Sequence, residues 1–348
     1  MKVKKIISLL SVLFFAVCVP LLTTACNDKP TLHVYIWEDY IDPELIEQFE
    51  KEYNCNVKCA TFPSNEEMYS KLKNGASGYD IVVPSSYMAT VMYQQDMLEK
   101  IDLNKLPEVT KYYDKTFDVL NADKGHIYSI PYFISFTGIG YDSSKVKDFD
   151  ASWQMFNRVD LKGRISLLND YREVLGAALR TLKYDVNTTN QSELDQAVEL
   201  ARQWKRNIAK FGVDDSRQSL VDGSFYMIQT YSGDLLQHAV ENPNLKFVIP
   251  REGSTATFDN LCILKNSEQK ELAYKFINFL YQKDTAVKNM NYVMYRMPHT
   301  EAVKYVDESF RNHELFNIKP ETFKLCTPLK DLGENLKMYA DAWERIKQ

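Results

Sequence analysis

Apolar and polar positions along the chain fall into short blocks, and their spacing switches repeatedly between the two-residue period of a strand and the period of a helix. Residues 31–37 read as a strand, and "DPELIEQFEKEY" (42–53) reads as a helix. Asp42 caps it, Pro43 takes its first turn, and Leu45, Ile46 and Phe49 form its apolar face. "NVKCATF" (56–62) is the next strand, and "SNEEMYSKLKNG" (64–75) is a helix that opens with a Ser64 to Glu67 capping box and stops at Asn74-Gly75. "YDIVVP" (79–84) is a buried strand. This alternation predicts a mostly parallel sheet, which takes ligands in the crevice beyond the carboxyl ends of its strands. "WEDY" (37–40) and "PSSY" (84–87) both stand at such ends.

The same unit recurs further on. "IPYFISFTGIGYDSS" (130–144) is apolar and reads as strands crossing between two domains. "ISLLNDYREVLGAALRTL" and "FYMIQTYSGDLLQHAV" each run from strand into helix, and "SELDQAVELARQWKRNIAKF" is a helix between them. "LKFVIPREGSTATFDNLCILKNS" supplies further strands, while "ELAYKFINFLYQ" and "LKMYADAWERIKQ" are amphipathic helices. No short repeat and no low-complexity linker divides the chain, so two lobes joined by strands fit the pattern.

Composition changes this picture mainly at the ends. Lys2, Lys4 and Lys5, an uncharged run to Leu22 and "TTAC" up to Cys26 form a secretory signal, residues 1–25, with Cys26 as the expected lipid-bearing first residue of a lipoprotein. Thr23 stands where leucine is commoner, which leaves cleavage without lipid open. Loss of this segment removes three lysines and no acid, so the formal charge moves from −5 to −8. An acidic body argues against nucleic acid and for a cationic partner. Cys55, Cys59, Cys262 and Cys326 are too few for a disulfide scaffold and are expected as buried thiols. No Cys or His pair has zinc spacing, so no metal and no cofactor are expected.

The blocks "VYIWEDYIDPELIEQFEKEY", "FPSNEEMYSKLKNG" and "YDIVVPSSY" resemble the spermidine/putrescine-binding proteins of bacterial polyamine ABC transporters. "YSIPY", "LKGRISLLNDYREVLGAALRTLKY", "NTT", "INFL" and "MYRMP" extend the likeness over nearly the whole chain. The resemblance implies an α/β periplasmic binding protein of type II, two lobes joined by crossover strands with the ligand cleft between them. Residues 31–137 with 258–303 would form lobe 1, and residues 138–257 with 304–348 would form lobe 2. It further implies a monomer in the periplasm that hands a polyamine to a membrane permease. The chain has no G-x-x-x-x-G-K-[ST] loop and no second membrane segment, so it is neither the ATPase nor the permease.

A polyamine is a methylene chain bearing ammonium groups, so its site needs carboxylates for the charges and aromatic walls for the stem. By resemblance Trp37, Asp39 and Tyr40 touch the ligand, while Glu38 stands where a small hydroxyl residue is familiar. Ser85 and Tyr87 add polar and aromatic contacts. Asp170 and Glu173, three apart at a helix start, hold ammonium groups from lobe 2, unless Arg172 neutralises one of them in a structural salt bridge. Tyr231 and Asp234 match a putrescine-type segment and lean towards a diamine; an alignment slipped by two residues would bring in Gln229 instead. Asp259 is the central carboxylate, Thr257 replaces a usual aromatic, Tyr295 faces the ligand, and Leu329 replaces a glutamine contact.

Rival readings are weaker. An enzyme using Asp170 and a second cleft acid on a glycan lacks any supporting elbow, His-backed nucleophile or metal cluster, so no enzyme is expected. A binder of iron or of an anion would need clustered Tyr and His, or Arg, in place of acids. A lipid-anchored polyamine sensor and a binder of another small cation on the same fold stay compatible with the sequence.

Overall fold

The computed structural model describes residues 29–239, 241–313, 316 and 320–348, so the expected signal segment and Cys26 lie outside the described residues. From Thr31 onward the alternating blocks build β1 (Thr31–Ile36), β2 (Asn56–Thr61), β3 (Ile81–Val82), β4 (Ile130–Asp142) and β5 (Ile165–Leu167). β6 (Lys210–Phe211), β7 (Met227–Tyr231), β8 (Leu245–Val248), β9 (Ser254–Ile263) and β10 (Cys326–Pro328) follow. They form one ten-stranded sheet in the order β2-β1-β3-β9-β4-β7-β5-β6, with β8 on β4 and β10 on β9.

The expected parallel pairing holds on the flanks, where β1 joins β2 and β3, and β5 joins β6 and β7. The centre is antiparallel instead, because β4 and β9 pass through it in opposite directions. β4 is the apolar run expected to cross between domains, and it is a single strand. From Ile130 to Phe136 it pairs with β9, and from Thr137 to Tyr141 with β7. β9 divides likewise: Ser254 to Ala256 pair with β10, and Cys262 and Ile263 pair with β3. Buried on both faces along nearly its whole length, β4 has no solvent face, which explains why its sequence shows no alternation.

Local signals place the helices. Asp42 caps Pro43–Tyr53 through the Glu44 N–H, 2.8 Å away, and Ser64 accepts from the Glu67 N–H at 3.2 Å to start Asn65–Lys73. Leu32, Val34, Phe49, Ile81, Ile263 and Phe276 centre one core. Leu236, Phe310 and Phe316 also pack into it. Ile165, Val174, Trp204, Tyr339 and Ile346 centre another, into which the closing helix Leu336–Lys347 returns. Cys55, Cys262 and Cys326 are buried as expected, but Cys59 is exposed because β2 is the sheet edge. Among the described residues no helix is long and apolar enough to cross a membrane.

Gly138 lets β4 and β8 approach at the crossing: a Cβ there would meet the Phe247 ring and the Val248 carbonyl oxygen, both at 2.5 Å. Backbone cannot step aside as a flexible side chain does. Gly138→Ala should therefore lower unfolding free energy by about 1–3 kcal/mol in urea titration.

Candidate functional site

The turn after β1 carries "WEDY". Asp39 adopts a left-handed backbone there, with φ 53°, and the chain then enters the helix Pro43–Tyr53. That turn directs the Tyr40 hydroxyl into the interior, where it donates to Asp259 Oδ2 at 2.6 Å. After β3, Ser85 occupies the capping position of Ser86–Gln94 without capping it. Its hydroxyl donates to Asp259 Oδ1 at 2.9 Å and is held by the Asn65 amide at 3.1 Å. Asp259, on β9, thus has both oxygens engaged by neutral donors.

A second group of acids forms at the start of the helix Tyr171–Thr181. Asp170 Oδ1 accepts from the backbone N–H groups of Arg172 and Glu173 at 2.8 and 3.2 Å, and Tyr231 donates to Oδ2 at 3.2 Å. Glu66 faces this group, with its Oε1 accepting from the hydroxyls of Tyr87 at 2.9 Å and Tyr171 at 3.1 Å. Glu173 accepts from the Thr255 hydroxyl. Arg172 makes no ion pair with Asp170 or Glu173; its guanidinium donates to the Lys330 carbonyl and to Asn187, so the structural salt bridge does not form.

Asp234 forms a third centre. Tyr295 donates to its Oδ1 at 2.7 Å, and Arg217 NH1 lies 3.7 Å from the same oxygen. Gly233 makes this possible, since a Cβ there would sit 2.1 Å from Tyr295 ring atoms.

These groups line one cavity of about 440 Å³. Trp37, Tyr40, Tyr87, Tyr231 and Tyr295 supply aromatic wall, and the Tyr40 and Tyr295 rings meet edge-on with centroids 5.3 Å apart. Burial pushes Asp259 up to about 6 and Glu173 up to about 7; Asp234 adds to the first shift and Asp170 to the second. Asp170, Glu66 and Asp234 are raised as well, chiefly by burial. Burial also raises the Tyr40, Tyr87, Tyr231 and Tyr295 hydroxyls, so they remain neutral donors. Among the described residues, the Trp37 indole N–H and the Ser135 hydroxyl are buried without a partner; Ser135 lines the cavity, and the indole N–H lies near enough to Asp259 to favour its ionised form.

The structure therefore brings together Trp37, Glu38, Tyr40, Ser85, Tyr87, Asp170, Glu173, Tyr231, Asp234, Asp259 and Tyr295. Asp39 is the exception. Its left-handed backbone leaves it exposed and outside the lining, and Glu38 takes the cavity side. Gln229 instead donates to the Glu173 backbone carbonyl at 3.0 Å from within the core, while Tyr231 and Asp234 line the cavity. Thr257 and Leu329 line the cavity, whereas Phe258 is buried in the core behind it. Sequence reading missed Glu66, Tyr171 and Arg217. The first lies beside Glu67 of the capping box, and nothing local marks the others.

The family profile of bacterial extracellular solute-binding proteins matches residues 44–317. The chain is 33% identical over 325 residues to the spermidine/putrescine-binding periplasmic protein of Escherichia coli, covering 92% of each. A putative spermidine/putrescine ABC transporter structure from Listeria monocytogenes superposes with a TM-score of 0.87 at 34% identity, covering 91% of this chain and 99% of that one. The TpPotD lipoprotein of Treponema pallidum gives 0.83 at 32% identity, with coverages of 91% and 99%.

Two outcomes follow from the geometry. Gly233→Ala must displace Tyr295 from Asp234, and the loss of this hydrogen bond to a carboxylate, about 1.5–3 kcal/mol, should be readable as a lower thermal midpoint. Asp259 and Glu173 titrate higher in the folded protein than in the unfolded chain. Their contribution is therefore fully present below the ordinary carboxylate range and is lost as pH rises through about 6 and 7. The empty protein should melt lower at pH 8 than at pH 5, and Asp259→Asn should flatten that difference.

Proposed function

This chain belongs to the bacterial extracellular solute-binding proteins, and we propose that its solute is a polyamine, released from the closed cavity to the permease of an ABC transporter. One observation carries the reading. Asp259, Asp170, Glu173 and Glu66 are gathered around a buried aromatic cavity, and among the described residues none forms an ion pair with Lys, Arg or His. Such acids are electrostatically incomplete until a cation enters. Ammonium groups complete them, and the rings cover the methylene stem with cation–π attraction of about 0.5–2 kcal/mol per facing ring. The unpartnered Ser135 hydroxyl offers a further acceptor.

The lobe division proposed for the chain, with crossings near residues 137 and 257, is supported by the partner exchange of β4 after Phe136 and by the divided pairing of β9. On that division the hydrogen bonds from Tyr171 to Glu66 and from Tyr295 to Asp234 join opposite lobes. Closure gathers like charges, so it is disfavoured when the cavity is empty and favoured when a dication is present. Cys26 is proposed as the lipid anchor that keeps a monomer at the membrane surface.

The test is calorimetric titration of protein stripped of ligand by unfolding and refolding, using putrescine, cadaverine and spermidine. Asp259→Asn and Asp170→Asn each remove one charge, and asparagine caps a helix as well as aspartate does. Each should weaken binding about tenfold or more, the scale of a lost charge-assisted contact of about 1.5–3 kcal/mol. Unaltered affinity in both variants, or no heat with any polyamine, would overturn the reading.

A further inference from the structure

Three carboxylate centres line the cavity, and one of them already holds a cation. Arg217, on the helix Asp214–Val221, places NH1 3.7 Å from Asp234 Oδ1 and NH2 3.2 Å from Asp214 Oδ1. Its side chain and that of Asp234 are each 17% exposed, whereas that of Asp214 is 57% exposed. The guanidinium is thus wedged between an interior acid and a rim acid. It cannot leave by deprotonation, because a guanidinium stays charged at any working pH. At the Asp259 centre and at the centre of Asp170, Glu66 and Glu173, the donors are hydroxyls and backbone N–H groups.

Two open anionic centres and one filled one match a ligand with two ammonium groups. Resting on the polyamine reading above, we propose that Arg217 sets ligand length: it occupies the place of a third ammonium at Asp234 and makes the cavity select a diamine over a triamine. A triamine laid along the cavity would bring its remaining charge against the guanidinium. It would have to displace Arg217 from both acids or hold that charge elsewhere. The acid itself does not impose this selection, since Asp234 alone would welcome a third ammonium. The selectivity comes from the pair.

Charge removal at fixed shape tests this. Wild type, Arg217→Met and Arg217→Lys are titrated in parallel with putrescine, cadaverine and spermidine, and folding is checked by circular dichroism. Arg217→Gln serves as a second charge-free variant should the methionine variant not fold. Wild type should bind putrescine about tenfold or more tighter than spermidine, and the charge-free variant should shift that ratio towards spermidine by a similar factor. Arg217→Lys should stay close to the wild-type ratio. A wild type that prefers spermidine, or a folded charge-free variant that keeps the wild-type ratio, overturns the role of Arg217 while leaving polyamine binding intact. Absence of binding by every polyamine would overturn the functional reading itself, and this inference with it.

Discussion

The structure depends on keeping two of its three carboxylate centres out of water without giving them cations of their own. An ionised acid in a low-dielectric interior is tolerated only when hydrogen bonds or counter-charges replace its hydration. At Asp259 the replacement is two hydroxyls and at Asp170 two backbone N–H groups and a hydroxyl, all neutral. Neutral donors fix the geometry and leave the charge. Had lysine or arginine filled these places, the cavity would be more stable and would have no reason to take up a cation. The raised pKa values of Asp259 and Glu173 express the same tension, since the empty site favours protons in place of the missing cation.

That tension is tolerable because the acids sit on rigid supports. Asp259 lies on β9 opposite Phe133 of β4, and Thr257 lies opposite Ser135, at the segment where the two long strands pair. Tyr231 is opposite Thr137, immediately after β4 changes partner. The point where the sheet changes partners is therefore also the floor of the cavity. Tyr171 and Tyr295 each donate to an acid carried by a distant stretch of chain, so the contacts that shape the site also tie together segments far apart in sequence. If these lobes close on the ligand as proposed, binding and closure share the same oxygens and need no separate relay.

Much of this was legible in the sequence wherever the cause is local. Asp42, Pro43 and Ser64 mark helix starts through their own backbone chemistry, and the strand ends that carry "WEDY" and "PSSY" follow from the apolar blocks before them. Asp39 stands outside the lining because its backbone is left-handed, a conformation that aspartate tolerates better than most residues but that no local signal requires here. Ser85 stands where a cap is expected, but the buried acid at Asp259, far away in sequence, takes its hydroxyl instead. Glu66 and Tyr171 become partners only through tertiary contact. Arg217 was invisible for a related reason: its spacing to Asp214 is that of an ordinary surface helix pair, and only the fold adds Asp234 to it.

A scaffold of acids and rings leaves the groups around it free to set what the cavity prefers. Thr257, where an aromatic is usual, lies beside the unpartnered hydroxyl of Ser135 and makes this cavity floor more polar. Leu329, where the resemblance implies a glutamine, lines the cavity with an apolar side chain. Neither change touches the acids, so neither alters how many charges the cavity can neutralise. Arg217 does alter that number. On the proposed reading, the acids decide that a cation enters, the rings and hydroxyls decide how its stem lies, and the balance of resident charge decides how many ammonium groups it carries.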